Sequence, residues 1–459
     1  MSCPAGYTFD STPRVAPISA ATENFKPGQR LQYCDYHTIW TENHLPASKL
    51  EPLRSLGDPL SDDALAALEI QPGEDALEAL LAYTSQPSDK QTSPAPHQLL
   101  THVMTIPDWV DWDRIQRGQK VYWRYCLYIT VILLHFTVAS GFSIPKIMKV
   151  LSSTGYLPGK KAQKRVLETG QFVLDVFHSP ESLQPGSGIA WKSMVQIRLL
   201  HSAVRARLSK IAHAHSKYYN LEEYGVPINQ EDLLGVLFSL SNTMWRIMEK
   251  RLDVHMTTQE REDYLHVWRY VGHTMGVDDV LGATQTPQRA DACLDSIVMH
   301  IADPGTESGR LASTLFRNMD PRSEPLVLLD RYKIHLALAE RLFGPELWKV
   351  NGLPPITWPY RVVRELIYSL MSLDLWLVTN SPQWFRLRSS LVLKAKNRII
   401  ARKLGKRRTQ FELKEMPASR VAVIGKAYLI ANVFEATYSS MLRLSRYILI
   451  NYASPIFTA

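Results

Sequence analysis

The chain is short of cysteine, of strand patterning and of long apolar runs. Its four cysteines, Cys3, Cys34, Cys126 and Cys293, are scattered over 459 residues. None forms a CxxC pair or stands at metal-ligand spacing, which excludes the common Cys/His zinc motifs. A reducing compartment, or indifference to redox, is the simplest inference. Cys126, inside an apolar run, reads as a buried thiol. The longest apolar run, YCLYITVILLHFTVA at 125–139, falls short of the ~20 residues of a membrane-spanning helix and reads as a buried core helix. The opening MSCPAGYTFDSTPRVAPISA holds no apolar stretch of the kind that marks a secretion signal. No Walker-type phosphate loop, GxGxxG after a strand, GxSxG elbow or HExxH is present, which disfavours the common nucleotide-dependent, hydrolase and zinc-protease classes. Internal repeats and low-complexity tracts are also missing.

What is present is helical. Hydrophobic residues make up 45% of the chain and charged residues 21%, enough apolar material for a sizeable core. Residues 1–50, rich in Pro, Ser and Thr, read as an irregular arm. From there the apolar spacing predicts helices in SDDALAALEIQ and EDALEALLAY, separated by a Pro-rich loop at 85–96 from the rest. Further helices are expected over 113–138, 144–154, 160–178, 189–216, 229–250, 257–276, 285–302, 307–318, 326–342, 359–378, 381–403 and 419–450. Asn229 and Thr257 are placed to cap two of them, the latter with Glu260 as its capping-box partner. The expected fold class is all-α: a large single helical domain, with a core over 51–320 and a helical C-terminal part, 321–459, packed on it.

The net charge of +8 suits an anionic partner, although a solvated surface with a modest excess of cations is the plainer reading. One run concentrates that charge, RLRSSLVLKAKNRIIARKLGKRR at 386–408. Leu391, Leu393, Ile399, Ile400 and Leu404 can form the apolar face of a basic amphipathic helix, suited to peripheral contact with an anionic membrane. An ordinary surface helix with a basic outer face is the stronger alternative. No nucleic-acid motif accompanies the charge.

Among the 14 histidines, His201 stands out. It lies beside an apolar helical face marked by Met194, Ile197, Leu200, Val204 and Leu208, with Arg198 and Arg205 at i−3 and i+4. Such a histidine can ligate haem iron, and nearby arginines can neutralise haem propionates. It can equally be a core histidine bonded to a backbone carbonyl, which the residues alone favour. His266 and His273, two turns apart, are ~10.5 Å distant along one helix, too far to share a metal.

Several stretches together resemble the rubber oxygenase (latex-clearing protein) and MpaB-type oxygenase family. They are GDPLSDDALAAL at 57–68, PDWVDWDRIQRGQKVYWRY at 107–125, RVLETGQFVLDV at 165–176, RLLHSAVR at 198–205, GVPINQEDLLGVLFSL at 225–240 and YLHVWRYVGHTMGV at 264–277. The resemblance implies a helical fold around a haem b, with His201 as the iron ligand, and Arg198 and Arg205 beside it. It places Arg165 and Thr169, four apart on one helical face, at the cofactor pocket. Rubber oxygenases have a Lys before that Thr and a catalytic Glu on the preceding helix; here Glu168 and Lys149 stand at those places, with the charges exchanged. The implied activity is oxidation or cleavage by dioxygen of a lipophilic unsaturated molecule, such as a prenylated compound or a secondary metabolite. With no secretion signal, a cytoplasmic or peripherally membrane-associated protein is expected. The alternative is a non-catalytic haem-binding or membrane-surface protein.

Overall fold

The structure is a computed structural model that describes residues 22–68, 70, 74–153, 160–214, 219–319 and 330–404. Its fold is all-α. We number the helices of nine or more residues in chain order. Three come first: α1 (Pro59–Leu68), α2 (Ala76–Thr84) and α3 (Ala95–Met104). The long α4 (Trp112–Ile132) follows, then α5 (Pro145–Ser153), α6 (Lys160–Val176) and α7 (Ile189–Ala214). Next are α8 (Gln230–Leu240), α9 (Asn242–Leu252), α10 (Thr258–Thr274), α11 (Pro287–Ile301) and α12 (Thr306–Met319). The last are α13 (Arg331–Phe343), α14 (Trp358–Asn380) and α15 (Pro382–Leu404). The helix expected over 419–450 lies outside the described residues.

α4 is the axis of the core. Asp111 caps it by accepting from the backbone N–H of Asp113 and Arg114. Continued through a π turn at Leu133–Thr137 and the residues after it, to Ser143, it is long and apolar enough to cross a membrane by length and composition. Its apolar stretch is nevertheless packed inside the protein, with Tyr122, Cys126, Ile129 and Ile132 all buried. α10 crosses it closely at Gly118, where a Cβ would come within 2.3 Å of the Asp263 carbonyl oxygen, so only glycine fits. In the π turn, His135 is fully buried and its Nε2 lies 3.0 Å from Nδ1 of His335 on α13. One large apolar cluster joins residues from Leu50 to Val392, and a second gathers around Phe316, Phe343 and Trp348.

Two expectations are corrected. The arm before residue 50 carries a hairpin, β1 (Arg30–Tyr33) paired antiparallel with β2 (Tyr36–Ile39). Cys34 turns between them with φ +49°. The four-residue strands are too short to show an alternating pattern. The single helix expected over 229–250 is two, because Ser241 at φ −105°, ψ −91° breaks it. The Ser241 hydroxyl donates back to the Leu237 carbonyl, competing with the helical ladder.

Candidate functional site

The site is built on α7, and α7 is locked to α1 by a polar stripe. Arg198 donates through Nε and Nη2 to Asp58, at 2.7 and 2.9 Å, and through Nη1 to the Thr274 carbonyl at 3.2 Å. One turn on, the Ser202 hydroxyl donates to that of Ser61 at 2.9 Å. One turn further, Arg205 donates to the Asp62 carboxylate and, at 3.0 Å, to the Ile228 carbonyl. All three α7 residues are buried. Positions 198, 202 and 205 share one face, and Asp58, Ser61 and Asp62 face them from the first turn of α1 and the residue before it. Two of the sequence stretches singled out above, GDPLSDD and RLLHSAVR, are thus the two halves of one joint.

His201 sits beside this stripe, half-buried, with Ile197 and Leu200 half-buried on the same side. The two arginines find carboxylate partners within the protein: Asp58 pairs with Arg198 and Asp62 with Arg205, which ties down the helix that carries His201.

α6 packs against α7. On it Glu168 is half-buried and Thr169 exposed, while Leu167, Phe172 and Val173 turn into the core. The side chain of Arg165 lies outside the described residues. Lys149 is half-buried on α5.

One turn before Lys149, Lys146 enters a buried charged cluster that the sequence reading missed. Its Nζ lies 2.6 Å from Glu231 and 2.9 Å from Asp232. His300 Nδ1 meets the other Glu231 oxygen, and its Nε2 lies 3.1 Å from Glu51. Burial pushes the Glu231 carboxyl upward, but Lys146 and His300 outweigh it and hold the group ionised. Burial works against the Lys146 charge too, and Asp232 and Glu231 override it. Asp232, burdened by burial, is shifted up. Glu231 and Asp232 sit in the first turn of α8, where acids also satisfy the helix dipole. In sequence that plainer role hid the buried one. The cluster ties α5, and so the helix bearing Lys149, to α8 and α11.

On the α10 side of α7 lies a cavity of about 380 Å³, lined by His102, Trp109, Arg198, Arg269 and His273 among others. The Arg269 guanidinium stacks on Trp109 at 3.9 Å. Burial, with His102 and Arg198 adding, drives the His273 pKa down to about 4. His266 is driven down to about 4 by burial, then by Arg114 and Arg269. It accepts from the Asp111 backbone N–H at 3.0 Å, a structural role.

Among the described residues no three His, Cys, Asp or Glu side chains converge to hold a bare metal ion. Beside the joint, α7 offers one imidazole, His201. That fits haem iron, which takes a single protein ligand on its proximal side and its other ligands from the macrocycle.

The chain belongs to the family described as ER-bound oxygenase mpaB/B'/Rubber oxygenase, catalytic domain, which matches residues 123–391. That range contains Lys149, Arg165, Glu168, Thr169, Arg198, His201 and Arg205. Among individual relatives, the rubber oxygenase of Streptomyces sp. (strain K30) is 28% identical over 251 residues, 53% of this chain and 59% of that protein. The chain thus matches about three-fifths of the length of that curated relative. A solved structure of latex clearing protein LCP in the closed state aligns with a TM-score of 0.48 and 17% identity, covering 86% of this chain and 91% of that one.

Proposed function

We propose that this protein is a haem b-dependent oxygenase that uses dioxygen to oxidise or cleave a lipophilic, unsaturated substrate. One observation carries the reading: in a chain of the oxygenase family, His201 is presented on a helix braced on both sides of it by Arg–Asp pairs whose arginines are buried. A ligand to iron needs such bracing, because neighbouring interactions set its position and its basicity. The haem, when bound, supplies the oxygen chemistry. The chain's own residues hold, orient and move protons. His201 would hold the iron, and α1 fixes its helix through Asp58 and Asp62. Arg165 and Thr169, one turn apart on α6, would help to hold the cofactor. Glu168 is the base that takes an allylic proton on its carboxylate. Lys149, on the helix anchored by Lys146, stands where a carboxylate is found in rubber oxygenases.

The test is an absorption spectrum of the purified protein, oxidised and dithionite-reduced, beside a pyridine haemochrome assay. A Soret band that moves on reduction, with b-type haemochrome at about one haem per chain, supports the reading. His201→Ala should then lose the haem. A His201→Ala protein that keeps a full complement would remove His201 from the iron, and a wild type that stays colourless after reconstitution would remove the haem.

A further inference from the structure

α14 and α15 form an antiparallel helical hairpin with an unusual division of side chains. Ile367, Tyr368 and Met371 of α14 enter the core. From α15 the residues that turn inward include two cations. Arg388 donates to the Trp123 carbonyl at 2.5 Å and to Cys126 Sγ at 2.7 Å, and Lys396 to Tyr122 Oη at 3.3 Å and Thr130 Oγ1 at 3.0 Å. The hairpin is therefore a fixed platform, and its outer face is made of what is left.

That outer face is apolar. Trp358, Val362, Leu366, Leu370, Leu373 and Trp376 are all exposed, Trp358 by 75% and Trp376 by 61%. Their spacing of three and four makes one stripe along α14, about 27 Å long at 1.5 Å per residue. Leu387 and Leu391 are exposed on the neighbouring α15. Together these are eight of the fifteen large hydrophobic side chains exposed among the described residues. A patch of that extent marks a surface that is covered in use.

The charge around it selects the cover. Lys394 and Arg398 are exposed and continue the line of Leu387 and Leu391, and Arg386 is exposed beside them. α15 contains no Asp or Glu. The two acids of α14 are engaged, Glu365 with Arg341 and Arg364, and Asp374 with Trp384 and Arg388. The face is thus apolar and cationic with no open carboxylate. A second copy would bring the same cations to it. Residues 405–459, with eight Lys and Arg against three Asp and Glu, would also bring like charge.

We infer that the outer face of α14 and α15 docks on an anionic lipid bilayer, with the leucines and the two terminal tryptophans in the interface and Lys394 and Arg398 against the headgroups. The sequence pattern put the whole amphipathic surface on 386–408, either with its leucines on an anionic membrane or as an ordinary surface helix with a basic outer face. Instead Arg388 and Lys396 are inside, and α14 supplies most of the apolar surface. The inference stands apart from the haem reading.

The experiment is co-sedimentation of the full chain with vesicles of phosphatidylcholine alone and with phosphatidylserine added at about three parts in ten. The expected result is binding to the anionic vesicles that weakens as salt is raised. Lys394→Glu with Arg398→Glu should weaken that binding by about tenfold or more, and Leu366→Asp with Trp376→Asp should abolish it. All four positions are exposed, and unchanged helical circular dichroism and thermal midpoint show that the variants fold. Should the apolar pair disturb folding, the charge pair decides alone. Equal binding by wild type and charge variant, or no binding by wild type, overturns the inference. So does a concentration-dependent dimer that the same substitutions break, which would assign the face to a second copy.

Discussion

Arg198 donates from Nε and Nη2 to the two carboxylate oxygens of Asp58, three residues before His201 on the same helix. Both partners are buried, and the planar fork matches the carboxylate in a way no lysine would. Removing one member of a buried pair leaves the other charge stranded, at a cost of about 3–5 kcal/mol. Asp58→Asn retains the side-chain oxygen that accepts from Ser61 N–H, so the start of α1 keeps a cap. The variant is expected to unfold at lower urea, by about that amount, and, on the proposed haem reading, to hold haem more weakly than wild type because α7 is no longer fixed. Urea denaturation and haem retention on gel filtration measure the two effects. Unchanged stability would mean that Arg198 finds another partner.

The buried histidines set an acid limit. His266, His273 and His335 are each pushed down to about 4, by burial first in every case, with nearby cations adding. His102 against His273 and Arg331 near His335 add to this, and Asp111 and Asp263 oppose it at His266. The folded state therefore holds these rings neutral where the unfolded chain, near 6.5, takes up protons. Unfolded binds more protons, so stability falls as pH falls. The loss begins near pH 6.5 and is complete near pH 4. Urea midpoints across that window should drop steadily, and His273→Gln should flatten part of the slope. A midpoint constant from pH 6.5 to pH 4 would contradict the burial seen here.

Much of this was legible in the residues. Helix positions followed from apolar spacing and caps, and the caps expected at Asn229 and Thr257 both form, the latter with Glu260 as its capping-box partner. The family was legible because several stretches recurred in order, RLLHSAVR among them. What was not legible is the partner of each charge. Arg198 and Arg205 looked available for a cofactor because Asp58 and Asp62 lie some 140 residues away in sequence. Glu231 and Asp232 follow the cap Asn229 as first-turn acids, and nothing in the spacing shows that Lys146 and His300 meet them. Lys396 and Arg388 looked like an outer face. In each case a helical pattern gives the side of the helix but not what the fold brings against it.

Lys396 offers a substitution in the stabilising direction. Its ammonium is buried against Tyr122 and Thr130, two neutral oxygens. Burial lowers its pKa, the Cys126 thiol opposes this, and Arg388 adds to it. The unfolded chain holds that proton more tightly, so at neutral pH the site costs stability, and the cost shrinks as pH rises toward 10.5. Lys396→Met keeps the length of the side chain and removes the charge. Replacing buried charge by apolar volume is neutral or gains about 1–4 kcal/mol. The variant should melt at or above the wild-type temperature at pH 7, with the difference narrowing at pH 9.5. A lower melting temperature at pH 7 would show that the hydrogen bonds to Tyr122 and Thr130 outweigh the desolvation.

Glu168 carries the last prediction, and it separates a proton-moving group from a merely structural one. The residue is half-buried on α6, the helix that packs on α7, and the next residue, Thr169, is exposed. A carboxylate so placed can accept a proton, and the glutamine of the same shape cannot. Glu168→Gln should therefore fold normally, bind haem as wild type does, and show an unchanged Soret band, while turnover falls about 10²- to 10⁴-fold. Glu168→Asp, which keeps the carboxylate, should recover part of the rate. Full activity in Glu168→Gln would move the base elsewhere and make Lys149, on the helix held by Lys146, the next residue to change.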